Sequence, residues 1–322
     1  MDRSTGLLVF GILEIVFGGL CALAALFMLL AMAAAAAFDA GDSPPMFTGT
    51  MIPILLFYVV LSAWFITMGI GSIKARRWAR ALLVVSSWLW LICGTNGLIG
   101  MLLVMPGMYE QMREAGDMPQ GLAIFMECVM IGSIVVFGVL LPGVLLLFYG
   151  NRNVQATCEL RDPKVHWTDR CPLPVLALSL VFGLMAASMP MMGFFGWLMP
   201  FFGHVLNGWA GAAVAIIAAL VFGYLARGMY RLRKPAWWVG IVVGSAWAIS
   251  SALTFLRANT VDLFGGMDLP AEQLEMMQEL YSAQNTGFVL YSHAWFVLFI
   301  GYMLYVKKYF NGPLEQQAPV EK

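Results

Sequence analysis

The sequence predicts an all-α membrane protein: a transmembrane bundle of about eight helices, built as a tandem 4+4 parallel repeat. Three observations carry this prediction. Of the 322 residues, 61% are hydrophobic and only 11% are charged, whereas soluble domains carry about 25% charged residues. Several apolar stretches are long enough to cross a bilayer, and basic residues recur in every second connection between them.

Crossing a hydrocarbon core of about 30 Å takes about 20 helical residues, and eight apolar stretches approach or exceed that length. They lie near residues 6–32, 51–73, 81–104, 122–148, 173–192, 207–229, 236–255 and 287–306. Helices are expected because the backbone must satisfy its own hydrogen bonds in lipid. The first stretch ends in an alanine run that could pass for a signal-peptide cleavage site. It is too long for that, and Glu14 interrupts it, so we expect a retained span.

The basic residues predict how these helices are oriented. Cytoplasmic loops are enriched in Lys and Arg. With eight spans and the amino terminus inside, only Arg113 and Arg257 among the 18 basic residues face outwards. We therefore expect a multi-pass protein of the cell inner (plasma) membrane with both termini in the cytoplasm. The net charge of zero gives no basic signature for nucleic acid. The expected partner is the lipid bilayer; a protein partner and a homo-oligomer both stay open.

Two pairs of segments predict an internal duplication. Residues 69–90 read GIGSIKARRWARALLVVSSWLW and residues 228–247 read GMYRLRKPAWWVGIVVGSAW, and their Val-x-Ser-x-Trp patterns match at an offset of 159. LEIVFGGL at 13–20 matches LSLVFGLM at 178–185 at an offset of 165. We expect four-helix units at 1–150 and 173–322, joined by a cytoplasmic linker at 151–172. An even number of spans in each unit gives both units the same orientation, a parallel repeat.

The turn RRWAR at residues 76–80 resembles a turn found in many short bacterial membrane proteins of unassigned function, and so does DPKVHWTDRCPLP at 162–174. The resemblance covers about a tenth of the chain. It implies a bacterial inner-membrane origin and carries no activity with it.

The basic turns are expected to anchor helix ends at lipid headgroups, because long cationic side chains reach from apolar surroundings to the interface. A specific site for an anionic lipid is the sharper alternative. The predicted anchors are Lys74, Arg76, Arg77, Arg80, Arg231, Arg233 and Lys234.

Ionisable side chains inside a membrane are costly and are therefore functional candidates. Three are predicted, Glu14, Glu127 and His293, and Ser179 takes the place of Glu14 in the second copy. Glycines three residues before and four after Glu14 favour close approach of another helix on its face. Aligning the fourth and eighth helices from their first glycines places Glu127 opposite His293. Such a pair could relay protons or hold a cation, or it could lock helix packing.

Soft metal ligands form a second candidate path. The residues that could pass Cu(I) along the outer side are Met101, Met105, Met108, Met112 and His204. Methionine also fills irregular helix contacts, which is the competing interpretation. In the linker, Cys158, His166 and Cys171 are too widely spaced for a typical zinc site. We therefore expect no metal and no cofactor.

These features predict a transporter or channel-like bundle with a path between the two repeats. The uncharged stretch at 189–208 could add a re-entrant segment. The alternative is a non-catalytic membrane subunit or scaffold that docks a partner protein. An intramembrane enzyme is the least supported class, because no nucleotide-binding, metalloprotease or hydrolase motif is present.

Overall fold

A computed structural model describes residues 3–38, 45–114, 120–257 and 294–310. Within these ranges seven helices are long and apolar enough to cross a membrane, which confirms a helical, multi-pass membrane fold. They are Ser4–Ala34, Met51–Ile73, Arg77–Leu102, Ile124–Tyr149, Leu173–Phe194, Gly208–Tyr230 and Lys234–Thr254. The eighth predicted span lies partly outside the described residues; its described part, 294–306, is helical.

The elements follow one another along the chain with short connections. The first half contains α1 (Ser4–Phe38), α2 (Pro45–Ile73), α3 (Arg77–Glu114), α4 (Gln120–Ser133), a π-helical segment (Ile134–Leu140), α5 (Leu141–Tyr149), α6 (Arg152–Arg161) and a 3₁₀ turn (Trp167–Arg170). The second half contains α7 (Leu173–Ser188), a 3₁₀ segment (Met189–Phe195), β1 (Met199–Phe201), β2 (His204–Leu206), α8 (Gly208–Tyr230), α9 (Lys234–Arg257), α10 (294–306) and a 3₁₀ turn (Lys307–Phe310).

The chain divides into two compact units. Unit 1 comprises Met1–Cys21 with Leu61–Asp169, and unit 2 comprises Ala22–Val60 with Arg170–Lys322. Large apolar side chains are exposed along the spans; Leu147 is 78% exposed and Leu220 is 70% exposed. A water-soluble protein rarely exposes apolar surface this extensively, so lipid is the solvent that suits these helices.

Glycines bring the helices of unit 1 into backbone contact. A Cβ atom on Gly11 would lie 2.8 Å from the carbonyl oxygen of Gly69, and one on Gly69 would lie 2.6 Å from the oxygen of Gly11. Gly94 of α3 packs against Gly138 of the π-helical segment, where a Cβ atom would lie 2.6 Å from the Gly138 Cα atom. Small residues of this kind are typical of helix contacts in membranes.

Side-chain hydrogen bonds to backbone carbonyls join the helices of unit 2. The Trp237 indole donates to Met303 O at 2.8 Å. The Tyr302 hydroxyl donates to Pro174 O at 2.9 Å. These bonds tie α10 to α9 and to the start of α7, and the buried core between them includes Val175, Leu225 and Met229.

The stretch at 189–208 forms a 3₁₀ segment and a short antiparallel hairpin. Met199 pairs with Leu206, and Phe201 pairs with His204. The hairpin turn binds the end of α9, since Phe202 N donates to Ser250 Oγ at 2.9 Å and Gly203 N donates to Thr254 Oγ1 at 3.1 Å. The two-residue turn has positive φ at both central positions, the backbone that suits a tight hairpin.

A buried carboxyl site in unit 1

Glu14 lies where α1 and α2 cross. A Cβ atom on Gly18 would lie 3.1 Å from Ser62 O, and Gly11 packs against Gly69 as described above. Because the glycines on this face leave no room for side chains, the helices meet closely and cover Glu14. Its side chain points into unit 1 and is only 3% exposed.

The carboxyl group of Glu14 has no hydrogen-bond partner. Neither Oε1 nor Oε2 meets a donor or acceptor within hydrogen-bonding geometry. The Tyr149 hydroxyl is the polar side-chain group that approaches it, without reaching hydrogen-bonding geometry in this conformation. Buried polar groups in folded proteins are nearly always bonded, so each exception calls for an explanation.

Tyr149 belongs to a short chain of hydrogen bonds. Its hydroxyl lies 2.6 Å from Ser72 Oγ, and Ser72 Oγ donates to Leu7 O at 3.0 Å. The Tyr149 carbonyl accepts a hydrogen bond from Arg80 Nε at 3.0 Å. The Tyr149 side chain is fully buried, so α1, α2, α3 and α5 meet at this one residue.

Aromatic rings line the rest of this interior. Phe17 contacts Phe65 with ring centroids 5.2 Å apart, and Phe65 contacts Trp90 at 5.6 Å. Phe148 packs against Tyr149 at 5.0 Å. These surroundings are apolar, and a charge placed among them would be poorly solvated.

Glu127 does not join this site. Glu127 is partly exposed on α4, and His293 lies outside the described residues, so their predicted pairing stays a prediction. Ser179 lies in unit 2, where its Oγ donates to Ala226 O at 2.8 Å.

The methionine path also stays a prediction. Met101 is buried and His204 is exposed on β2, while the side chains of Met105, Met108 and Met112 lie outside the described residues. Among the residues that the structure describes, no group of three or more His, Cys, Asp or Glu side chains is placed to hold a metal ion.

The basic turn between α2 and α3 contacts protein. Asp162, whose side chain is 2% exposed, accepts from Arg76 Nη1 at 3.3 Å and from His166 Nε2 at 2.8 Å. Arg77 donates its backbone N–H to Asp162 at 3.3 Å and places its Nε 3.6 Å from Asp169 Oδ2. Lys74 and Arg76 are nevertheless exposed, as are the predicted anchors of unit 2, Arg231, Arg233 and Lys234.

This cluster fixes the segment after α6 to the start of α3. Burial alone would raise the pKa of Asp162, but hydrogen bonds from His166 and from the Arg77 amide, with the charges of His166 and Arg76, lower it. A carboxylate beside the first turn of α3 is also favoured by the helix dipole. The sequence analysis missed Asp162, and the Asp-x-x-x-His spacing on a polar segment is the signal that could have indicated it.

No known protein family, characterised protein or solved structure matches this chain. The site therefore has to be interpreted from its own geometry.

Proposed function

We propose that the chain arose by duplication of a four-helix membrane unit, and that its first copy carries a protonatable site for transport across the bilayer. The duplication is supported by the internal geometry of each unit. The transport activity is supported by one observation, the buried carboxyl group of Glu14 that has no partner.

The two basic turns have matching backbones 157 residues apart. Arg76 N donates to Gly71 O at 2.9 Å, and Arg233 N donates to Gly228 O at 3.0 Å. The residue before each arginine is left-handed, with φ of 49° at Ala75 and 52° at Leu232. In both turns the glycine packs against an alanine Cβ, Ala79 or Ala236. This register differs by two residues from the offset of 159 that the sequence match gave.

Aromatic contacts recur at the same spacing. Phe65 and Trp90 have ring centroids 5.6 Å apart at an interplanar angle of 62°, and Phe222 and Trp247 have them 6.1 Å apart at 61°. Each pair contacts a phenylalanine of the preceding helix, Phe17 or Phe182, and these two lie 165 residues apart, as the sequence match predicted.

The fourth helices of the two copies differ by one inserted residue. Phe17 contacts Phe137 and Phe182 contacts Phe299, a spacing of 162 between the second members. The buried ends, Tyr149 and Phe310, are 161 apart. The π-helical segment Ile134–Leu140 contains Phe137 and ends before Tyr149. A π turn accommodates one extra residue in a helix, which accounts for the change in spacing from 162 to 161. At 162 the counterpart of Glu127 is Val289 rather than His293.

Transport is the activity that best fits an unpartnered carboxyl group within a span. A carboxylate in apolar surroundings without donors is strongly disfavoured, so such a group takes up a proton or a cation. Ionisable groups of this kind mark ion and proton pathways in membrane proteins. A group that only stabilised the fold would be expected to complete its hydrogen bonds.

Proton flux in proteoliposomes tests this proposal. Parent protein should dissipate an imposed pH gradient when potassium ions can cross the membrane and balance the charge. The proton flux of Glu14→Gln should fall to that of empty liposomes. Glu159→Gln is the matched control, because Glu159 lies on α6 outside the spans, where it bonds Gln155; it should keep the parent rate. Equal flux in the parent and Glu14→Gln would contradict the proposal.

A docking subunit is the second candidate, and an exposed apolar surface outside the spans favours it. Leu160 is 84% exposed, Val165 is 50% exposed and Trp167 is 45% exposed. Apolar side chains exposed to water often mark a contact with a partner. Background flux in the parent and in both variants would favour this function instead.

We further propose that the chain lies in a bacterial inner membrane with both termini in the cytoplasm. The concentration of Lys and Arg in alternate connections supports this orientation.

A further inference from the structure

We infer that Glu14 holds a proton in this conformation, that the Tyr149 hydroxyl positions it, and that the proton is therefore the ion carried. The transport part of this inference rests on the proposed function; the protonation state does not.

The hydrogen bonds of Ser72 indicate which way the Tyr149 hydroxyl proton points. A serine hydroxyl has one proton to donate, and that of Ser72 goes to Leu7 O. With that proton on Leu7 O, Tyr149 is the donor in the 2.6 Å contact between Ser72 and Tyr149. Its hydroxyl proton is committed to Ser72, and only its lone pairs remain for Glu14.

The Tyr149 oxygen can then only accept, and a carboxylate can also only accept, so the two cannot bond. A protonated carboxyl can, because its O–H can donate to the Tyr149 oxygen. The protons of Tyr149 and Ser72 then both point away from Glu14, Tyr149 to Ser72 and Ser72 to Leu7 O, so Glu14 receives no donor. The arrangement favours the neutral acid.

The charged groups around the site do not reverse this conclusion. The titratable groups around Tyr149 are Glu14 and Cys158 and Arg80. Arg80 directs its Nε to the backbone carbonyl of Tyr149, so that donor is already engaged. Burial raises the pKa of Cys158 to about 11, which keeps the thiol neutral.

Release of the proton would change the hydrogen bonds in one defined way. The Glu14 O–H bond breaks and its proton passes to a water molecule. The Tyr149 O–H then turns from Ser72 to the carboxylate, while Ser72 keeps its bond to Leu7 O. The position of the Tyr149 proton thus reports whether Glu14 is loaded.

The second copy provides a comparison in which this chemistry is missing. Under the register proposed above, Ser179, Met229 and Phe310 take the places of Glu14, Ser72 and Tyr149. Met229 and Phe310 are buried in the unit 2 core. Among the described residues, the same packing therefore exists without the polar series, and the proton site belongs to the first copy.

Infrared difference spectroscopy across a pH titration tests the inference. The parent in liposomes should show, at neutral pH, a carboxylic acid C=O band that Glu14→Gln removes and that declines at alkaline pH. Tyr149→Phe should keep the band but move it to higher wavenumber, because the acid loses its acceptor. Tyr302→Phe removes a hydroxyl bonded to Pro174 O in unit 2 and should leave the band unchanged.

The outcomes separate this inference from the proposed function. A band with no flux would support the proton site and end the transport proposal. Flux that depends on Glu14, with no acid band at neutral pH, would overturn the inference and indicate another cation. An unmoved band in Tyr149→Phe would remove the positioning role. If Glu14→Gln does not fold, Glu14→Asp keeps the acid and should shift the band.

Discussion

Gly94→Leu is expected to prevent unit 1 from folding. A side chain at this position would meet the Gly138 backbone on the π-helical segment, and backbone cannot turn aside as a flexible side chain can. Overpacking a tight contact costs about 1–3 kcal/mol or more, and a branched chain against backbone belongs at the upper end. We expect loss of folded, monodisperse protein in detergent, or a melting temperature lowered by many degrees.

Gly97→Leu provides the control, because nothing lies within 4 Å of a Cβ atom there. It has the same change in helix propensity and in apolar area, so a difference between the two variants reports the contact with Gly138. Melting curves followed by tryptophan fluorescence would compare them. Similar melting temperatures for both would show that α3 and the π-helical segment are not packed this closely.

The triple variant Glu14→Ser, Ser72→Met, Tyr149→Phe is expected to fold and to lose all flux that depends on Glu14. It places in unit 1 the three side chains that unit 2 carries at the positions that are equivalent under the proposed repeat. Volume lost at positions 14 and 149 is partly regained at 72, which limits the cavity cost. Removing a buried polar group that has no partner also removes a cost of about 1–3 kcal/mol.

This variant should therefore keep its stability and lose its proton flux. We expect a melting temperature close to that of the parent or above it, as for other substitutions that remove a functional but strained group. Flux should equal that of empty liposomes. A large drop in melting temperature would mean that the polar series holds unit 1 together, and parent-level flux would mean that it has no part in transport.

The sequence was sufficient for the membrane class and for the position of Glu14. Apolar length predicted the spans, because the bilayer fixes how long a helix must be. Gly11 and Gly18 predicted that Glu14 faces another helix, because helical periodicity places residues three and four apart on one face. Neither inference required knowledge of contacts between distant parts of the chain.

The polar residues near Glu14 could not be predicted in the same way. Tyr149 and Ser72 are distant in sequence and lie on other helices, and nothing in a tyrosine near a span end distinguishes a site residue from an interfacial anchor. The pairing of Asp162 with Arg76 and Arg77 depends on how the segment after α6 folds back. Basic residues at a helix end predict headgroup anchors equally well.

The register of the proposed repeat indicates why pattern matching alone is insufficient here. The pattern Val-Val-x-Ser-x-Trp can be aligned in more than one register, because the helix is rich in similar residues. The sequence match therefore gives an offset of 159. The positive φ values at Ala75 and Leu232 are single, definite positions, and they give 157. The π-helical segment leaves no mark in the sequence, so the fourth helices did not align without a gap.

A protonated carboxyl at position 14 in apolar surroundings is tested most directly by labelling with dicyclohexylcarbodiimide. This apolar reagent modifies carboxylic acids, not carboxylates, within a membrane. We predict an N-acylurea on the peptide that contains Glu14, formed more slowly as the pH rises, while exposed Glu159 reacts with a water-soluble carbodiimide instead. An unmodified Glu14 in folded protein, or one that only the water-soluble reagent reaches, would contradict the account.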